Sequence, residues 1–149
     1  MPITKFVDVE ATVTPKNTAY DAGDVVGGLI TFAIPGAAGG GILNTVHLSE
    51  DDNEGAVLTL YLFRASPTAI LDDAAFAPAI ADLRNLVYVG AIAATDYSTS
   101  NSLKFVKISD INNAFAITGG NLYGYLVCTA TPTYAATKKI YITLSIITE

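Results

Sequence analysis

Short runs of strand-forming residues, separated by turn residues, constrain the fold of this chain more than any other feature. In the first run, Val7, Val9, Ala11 and Val13 alternate with polar residues, which predicts a strand with one buried face. The run AVLTLYLFR is almost wholly apolar, as is typical of a strand covered on both faces. The runs are, in chain order, VDVEATV, VVGGLITFA, ILNTVHLS, AVLTLYLFR, LVYVGAIAA, LKFVKIS, AFAI, LYGYLVCTAT and IYITLSIIT. Because no apolar stripe of helical period is long enough for a βαβ crossover, the sequence predicts an all-β sandwich of eight or nine short strands, for which jelly-roll connections are one arrangement.

One part of the chain departs from this pattern. Residues 66–85 are rich in alanine and carry helix-starting residues, but Pro78 interrupts them. We expect a long connection between strands that contains a short helix at residues 78–83. Because there is no internal repeat and no low-complexity linker, residues 1–149 are predicted to form a single β-sandwich domain.

The glycine-rich stretch IPGAAGGGIL, residues 34–43, is compatible in outline with a phosphate-binding loop or with a structural turn. A phosphate loop carries a lysine and opens a helix, and a dinucleotide fingerprint also opens a helix. Here no lysine or arginine follows before Arg64, and the next residues alternate as a strand does. We therefore interpret the stretch as a connection between two strands, whose lack of charge makes it a candidate for lying against a neighbouring subunit.

Charged residues are scarce in this chain. They make up 15% of it, where about 25% is typical of soluble proteins. Residues 25–49 and 111–137 contain no Asp, Glu, Lys or Arg. This pattern favours extensive contacts between subunits, and the alternative is that Ala, Thr, Ser and Asn replace the missing charges on a wet surface.

The distribution of charge also bears on partners and targeting. A net charge of −6 with eight scattered basic residues argues against nucleic-acid binding, which needs a basic patch. The acids at positions 8 and 10 argue against a secretion signal. The longest charge-free run is broken by Pro35 and glycines, so we expect no membrane span. The single cysteine fits synthesis in a reducing cytosol.

Two residues with catalytic potential are His47 and Cys128, the only histidine and the only cysteine. His47 falls on the outer, wetter face of its predicted strand, and Cys128 is expected to be a small buried residue of a strand. They lie far apart in the sequence, so we predict no catalytic dyad or triad and no enzymatic activity.

The acidic stretch EDDNEG is the strongest candidate for metal binding. The carboxylates of Glu50, Asp51, Asp52 and Glu54 could supply oxygen ligands to calcium, although their spacing is not that of an EF-hand. A solvated hairpin turn between two apolar strands explains the same residues and is the interpretation that we favour.

The eight tyrosines suggest a second alternative, a carbohydrate-binding module. Such a module presents exposed aromatic platforms, and the candidates are Tyr88, Tyr123, Tyr125, Tyr134 and Tyr141. Most of them fall inside predicted strands, where packing or interface burial is the simpler explanation.

Three segments together resemble a known family. They are TAYDAGDVVGGLITFA, GGGILNTVHLSEDDNEGAVLTLYLFRASPT and DDAAFAPAIADLRNLVYVGAIA, and the similarity covers roughly residues 19–93. Their order is an A-G-D-V-x-G start, a strand pair, an L-x-L-x-L-F strand, a Pro-Thr step and a D-x-A-F segment before a glycine-containing strand. This order resembles the capsid decoration, or cement, proteins of tailed bacteriophages.

The resemblance implies a non-enzymatic virion protein on the capsid exterior, made in the host cytoplasm. Its implied partner is the major capsid protein, whose lattice it stabilises, and its implied state is a homo-oligomer, with a trimer favoured. It implies no catalytic residue, cofactor or metal site. A phage tail or baseplate protein and a carbohydrate-binding β-sandwich remain alternatives.

Overall fold

The computed structural model of the protein describes residues 4–35 and 39–148. This part of the chain contains ten strands, one short α-helix and a 3-10 turn at Ala94–Asp96. The strands and the helix are β1 (Lys5–Val13), β2 (Val25–Ala33), β3 (Gly40–Glu50), β4 (Leu58–Phe63), α1 (Ile80–Leu83), β5 (Leu86–Ile92), β6 (Ser98–Ser100), β7 (Leu103–Ile108), β8 (Asn113–Ala116), β9 (Asn121–Cys128) and β10 (Ile140–Thr148). No helix among these elements has the length and hydrophobicity of a membrane span.

The strands form two antiparallel sheets. The six-stranded sheet has the order β1-β10-β3-β7-β6, and β8 also pairs with β3, beyond the end of β7. The four-stranded sheet has the order β2-β9-β4-β5. The chain changes sheet from β1 to β2, from β2 to β3, from β3 to β4, from β5 to β6, from β8 to β9 and from β9 to β10, which is the winding of a jelly roll. The predicted all-β sandwich is confirmed, and the strand beyond the expected nine is the three-residue β6.

The main core lies between the two sheets and follows the two-residue period of the strands. Ile140, Ile142, Leu144 and Ile146 of β10 are completely buried, and the residues between them are only partly buried. β1 obeys the same rule, because its odd-numbered apolar residues face the core, as predicted.

Residues 66–85, which we call the cover segment, lie over the outer face of the four-stranded sheet. Beneath them is a second apolar cluster made of Val25, Phe63, Tyr125 and Val127. The ring of Phe76 packs 4.4 Å from that of Tyr61 between centroids. β4 is therefore covered on both faces, and the segment contains a short helix; both predictions are confirmed.

The cover segment also pairs with the outer edge of β2 where the strand begins. The backbone N–H of Val25 donates to the carbonyl of Ala74 at 2.8 Å, and that of Phe76 donates to the carbonyl of Gly23 at 2.9 Å. Two of the motifs that carry the family resemblance, A-G-D-V-x-G and D-x-A-F, thus contact each other directly. The backbone groups at this part of the β2 edge are therefore already hydrogen-bonded and are not free to pair with another strand.

A bulge in β2 depends on two glycines. Gly27 and Gly28 both have φ of +80°, and the register with β9 shifts between Val26 and Ile30. A side-chain carbon on Gly27 would lie 2.2 Å from a methyl group of Val13, so the close approach of β1 requires glycine there.

The acidic stretch EDDNEG is not the hairpin turn that the sequence suggested. It joins β3 to β4, which belong to different sheets, so it carries the chain across the end of the sandwich. Period-two alternation reveals which face of a strand is buried but not which sheet the strand joins, and the interpretation as a hairpin was wrong for that reason.

The stretch IPGAAGGGIL is described only in part, because residues 36–38 lie outside the described residues. Its end enters β3 as predicted. A side-chain carbon on Gly40 would lie 2.1 Å from the carbonyl oxygen of Phe115 in β8, so this glycine permits close pairing within the sheet. Contact of the stretch with a neighbouring subunit stays a prediction.

Much of the uncharged sequence is buried within the chain itself. Residues 25–49 supply β2 and β3, and residues 111–137 supply β8 and β9; along these strands apolar residues repeatedly enter one of the two cores. Burial inside the sandwich and beneath the cover segment therefore accounts for part of the low charge.

Candidate functional site

The outer face of the six-stranded sheet ends in a row of apolar side chains, which we call the sheet-end patch. Phe6 pairs with Ile147, Ile147 pairs with Ile42, and Ile42 pairs with Ala114. Residues directly opposite one another share a face, so these four side chains form one row across four strands. Phe6 is 72% exposed and Ile42 is 38% exposed. The patch gives this end of the sheet an apolar surface that residues 4–35 and 39–148 leave uncovered.

The two rows next to the patch on this face are polar. They are Asp8, Ser145 and Thr45, and then Glu10, Thr143, His47 and Lys107. The imidazole of His47 is stacked against the ring of Phe105, with 6.4 Å between centroids. The predicted position of His47 on the outer face is confirmed.

A second exposed apolar surface lies on the opposite side of the sandwich. Leu71 and Ile80 of the cover segment are each 75% exposed, and Leu83 is 43% exposed. The segment places other apolar residues, such as Phe76, inward on the four-stranded sheet. We call the outward side of the segment the cover face. Apolar side chains therefore point away from the core on both broad sides of the molecule.

Sequence reasoning did not select the residues of these two surfaces, although one signal was present. Phe6 occupies an even-numbered position of β1, in line with Asp8 and Glu10, where the alternation calls for a polar residue. Ile147 breaks the polar side of β10 in the same way. A single exposed apolar residue is ordinary, whereas apolar residues that lie side by side on the polar sides of paired strands, as Phe6 and Ile147 do, indicate an interaction surface.

The acidic connection between β3 and β4 is built around a buried acid. Glu50 has no exposed surface, and its Oε2 accepts a hydrogen bond of 2.8 Å from the backbone N–H of Gly55. Its Oε1 accepts a longer one, 3.4 Å, from the hydroxyl of Tyr134. Burial raises the pKa of the Glu50 carboxyl to about 7. Burial likewise raises the pKa of Tyr134, so the phenol stays a donor at neutral pH.

The other acids of this connection hold the loop to distant backbone. Asp52 accepts a hydrogen bond from the N–H of Ala135 at 2.6 Å, and Glu54 accepts one from the N–H of Thr133 at 3.3 Å. Among residues 4–35 and 39–148 no group of three His, Cys, Asp or Glu side chains is arranged to hold a metal ion. The carboxylates point to separate partners within the chain, an arrangement that serves to fasten the loop.

Cys128 is fully buried at the end of β9. Its thiol donates to the carbonyl of Asp21 at 3.2 Å, and burial raises the pKa of the thiol. The predicted role as a small buried residue of a strand is confirmed. His47 and Cys128 belong to different sheets, so the fold does not bring them together.

The tyrosines proposed as a carbohydrate platform do not share a surface. Tyr125 and Tyr134 are buried, Tyr125 beneath the cover segment and Tyr134 beside Glu50. Tyr141 lies on the outer face of the six-stranded sheet, whereas Tyr88 and Tyr123 belong to strands of the other sheet. The aromatic platform is therefore not assembled from these residues.

A shallow groove of about 460 Å³ lies where β5 approaches β8. It is lined by Arg64, Leu86, Val87, Ala114, Phe115 and Ala116. The side-chain amide of Asn113 donates to the carbonyl of Val87 and joins the two sheets at this edge. The groove is open and carries one charged side chain.

The described fold and its surfaces define a jelly-roll β-sandwich with apolar side chains exposed on both broad sides. No family model and no curated protein matches the chain. Among solved structures, the chain is similar to a chain of the Cyanophage Pam1 capsid asymmetric unit, with 15% identity, a TM-score of 0.43, and coverage of 98% of this chain and 85% of that one. It is also similar to a chain of the Israeli acute paralysis virus full particle heated to 63 degrees, with 10% identity, a TM-score of 0.29, and coverage of 99% and 72%.

Proposed function

We propose that this protein is a non-enzymatic structural component of a tailed-phage virion, which binds the outside of the capsid and stabilises the lattice of the major capsid protein. The observation that carries the proposal is the pair of apolar surfaces on opposite sides of the sandwich. The sheet-end patch includes Phe6 at 72% exposure, and the cover face includes Leu71 and Ile80 at 75% each. A protein that bridges neighbours needs two contact surfaces that point in different directions.

The physical role of such a bridge follows from its two surfaces. Each surface alone buries a modest apolar area, which suits a weak contact. When both are engaged on an ordered lattice, the second contact forms within the same assembly and the total affinity rises steeply. Lattice opening then has to break both contacts together, so the bound protein raises the free energy needed to disrupt the shell.

The sequence resemblance to decoration proteins and the jelly-roll winding support the same proposal. Jelly rolls occur in viral capsid domains and in lectins, so the winding alone does not choose between these classes. The separation of the candidate tyrosines argues against the lectin alternative, since no shared aromatic surface is formed. A homotrimer and the capsid exterior belong to the proposal through the resemblance.

The experiment is a binding assay with phage heads that lack decoration. We expect the purified protein to saturate the heads at a fixed number of copies and to raise their disruption temperature, measured by light scattering during heating. Heads mixed with heat-unfolded protein are the control. Binding to a glycan array without any binding to heads would favour the carbohydrate module and contradict the proposal, and binding to purified tails alone would favour a tail or baseplate role.

A further inference from the structure

The edges of the two sheets differ in how the chain protects them. β6 is three residues long and β8 is four, so that side of the six-stranded sheet offers little ladder. The outer edge of β2 is occupied at its start by the cover segment, through backbone hydrogen bonds of Val25 with Asp73 and Ala74, and is then interrupted by the bulge between Val26 and Ile30. The edge of β5 is joined to β8 through Asn113 and Val87. These devices are the usual ways in which proteins block the addition of a foreign strand.

β1 carries none of these protections. It runs for nine residues from Lys5 to Val13, contains no proline, and pairs with β10 in a single unbroken register. In the described part of the chain no strand pairs with its other side. A long and regular edge of this kind presents a row of backbone donors and acceptors to any extended segment that approaches.

The side chains on the outer face of this edge select what can approach. Phe6, Asp8 and Glu10 follow one another at every second position and are exposed. The hydroxyl of Ser145 donates a hydrogen bond to Asp8. The salt bridge within residues 4–35 and 39–148 is that of Lys16 with Asp73, so neither acid of β1 is paired with a cation there.

We propose that the free edge of β1 binds an extended basic segment of a partner protein by strand addition, with Lys or Arg opposite Asp8 and Glu10 and an apolar side chain opposite Phe6. Main-chain hydrogen bonds supply affinity in this mode of binding, and the alternate side chains supply selectivity. The inference rests on the proposed function, because it assigns the segment to the capsid protein.

A second copy of this chain is a poor occupant of the same edge. Antiparallel pairing of two β1 strands about Val9 places Asp8 opposite Glu10 twice, and like charges directly opposite one another disfavour pairing. A different register between the two β1 strands can separate these acids, but it leaves fewer residues paired. The charges that repel a copy of the chain attract a basic strand, which is why we assign the edge to a different protein.

The test uses two synthetic nine-residue peptides with alternating valine. The basic peptide has two lysines and then leucine at successive same-face positions, the order that antiparallel pairing sets opposite Glu10, Asp8 and Phe6, and the acidic peptide has glutamate in place of the lysines. We expect the parent protein to bind the basic peptide roughly tenfold or more tightly than the acidic one, with increased amide-exchange protection along β1. Equal binding of the two peptides, or no binding of the basic peptide, would overturn the inference.

The matching variants reverse or preserve the charge of the edge. In the variant carrying Asp8→Lys and Glu10→Lys, the preference should invert toward the acidic peptide, a result that a merely structural effect does not produce. The control carries Asp21→Asn and Asp110→Asn, which removes two negative charges away from the edge and should leave the preference unchanged. An unchanged preference in the lysine variant would contradict the inference.

Undecorated heads separate this inference from the proposed function. If the parent protein binds heads and the lysine variant binds them at least tenfold more weakly, both stand. If the lysine variant binds heads as well as the parent does, the edge of β1 does not contact the capsid, although the proposed capsid-binding function is still supported. If the parent protein does not bind heads at all, the proposed function fails and the assignment of the segment to the capsid protein fails with it, whereas the peptide preference still reports on the edge.

Discussion

The hydroxyl of Tyr20 donates a hydrogen bond to Oδ1 of Asp72 across 2.7 Å, although the two residues are 52 positions apart in the sequence. The same oxygen accepts a hydrogen bond of 2.7 Å from the backbone N–H of Gly27. Burial, and then the hydrogen bond to Asp72, raise the pKa of Tyr20, which keeps the phenol protonated as a donor. One half-buried carboxylate therefore ties the turn after β1, the bulge of β2 and the cover segment together.

Replacing Asp72 with alanine should destabilise the protein. Asp72→Ala leaves the phenol of Tyr20 and the N–H of Gly27 without their acceptor, and an unsatisfied buried donor costs about 1–3 kcal/mol. We expect the free energy of unfolding, measured by urea titration, to fall by about 2 kcal/mol. Asp72→Asn is the matched control, because its carbonyl oxygen can still accept both hydrogen bonds. Equal losses in the two variants would show that the charge of Asp72, and not its acceptor oxygen, matters.

The contacts of Asp72 illustrate what the sequence could not predict. The strands of the fold follow from alternation, which is a local property; β1 and β10 were identified for that reason. Asp72 lies in a segment with no periodicity, and its partners are set by how the cover segment crosses the sheet. The motifs of the resemblance contained these residues, but nothing in their spacing indicated that they contact one another.

The two glycines of the β2 bulge provide a steric test. Gly28→Ala meets no atom closer than 3.6 Å, so its cost is that of the left-handed backbone, about 1 kcal/mol. Gly27→Ala has the same φ but places a carbon 2.2 Å from a methyl of Val13, so overpacking adds about 1–3 kcal/mol. We expect Gly27→Ala to have the lower urea midpoint. Adding Val13→Ala should recover part of the extra loss, and the absence of any coupling between positions 13 and 27 would contradict this account.

Glu50 predicts how stability depends on pH. Its pKa is raised from 4.5 to about 7 in the folded protein, chiefly by burial. Between these values the unfolded chain loses the proton while the folded one retains it, so the free energy of unfolding falls as pH rises. The fall should begin near pH 4.5 and be complete slightly above pH 7. The difference between the two pKa values corresponds to a total loss of about 3 kcal/mol in the free energy of unfolding. Urea titrations from pH 4 to pH 8 measure it.

Glu50→Gln imitates the protonated acid and tests this assignment. The variant should match the parent near pH 4 and exceed it in stability at pH 8, because the amide has no proton to lose. Glu54→Gln, at an exposed position of the same connection, is the control and should leave the pH dependence in place. If the Glu50→Gln variant retained the full slope between pH 4.5 and 7, another group would be responsible.

The burial of Glu50 also marks a limit of sequence reasoning. Four acids within five residues are typical of a solvent-exposed turn, since charged side chains are seldom buried without a partner. Glu50 is nevertheless enclosed, because the chain around Tyr134 and Ala135, more than 80 residues later, folds over the connection and supplies donors to it. Nothing in the sequence of the acidic stretch itself indicates that this later part of the chain folds over it.

The two apolar surfaces give the last prediction. Phe6→Ser and Leu71→Ser remove side chains that are exposed in the free protein, so the free energy of unfolding should change by less than about 0.5 kcal/mol. If both side chains are buried on the capsid, each loss should weaken binding to undecorated heads by about 10- to 100-fold. Phe6→Leu keeps an apolar side chain and should retain most of the affinity. Head binding that is unaffected by both serine variants would remove these surfaces from the interface, whereas loss with one variant alone would identify the side that faces the capsid.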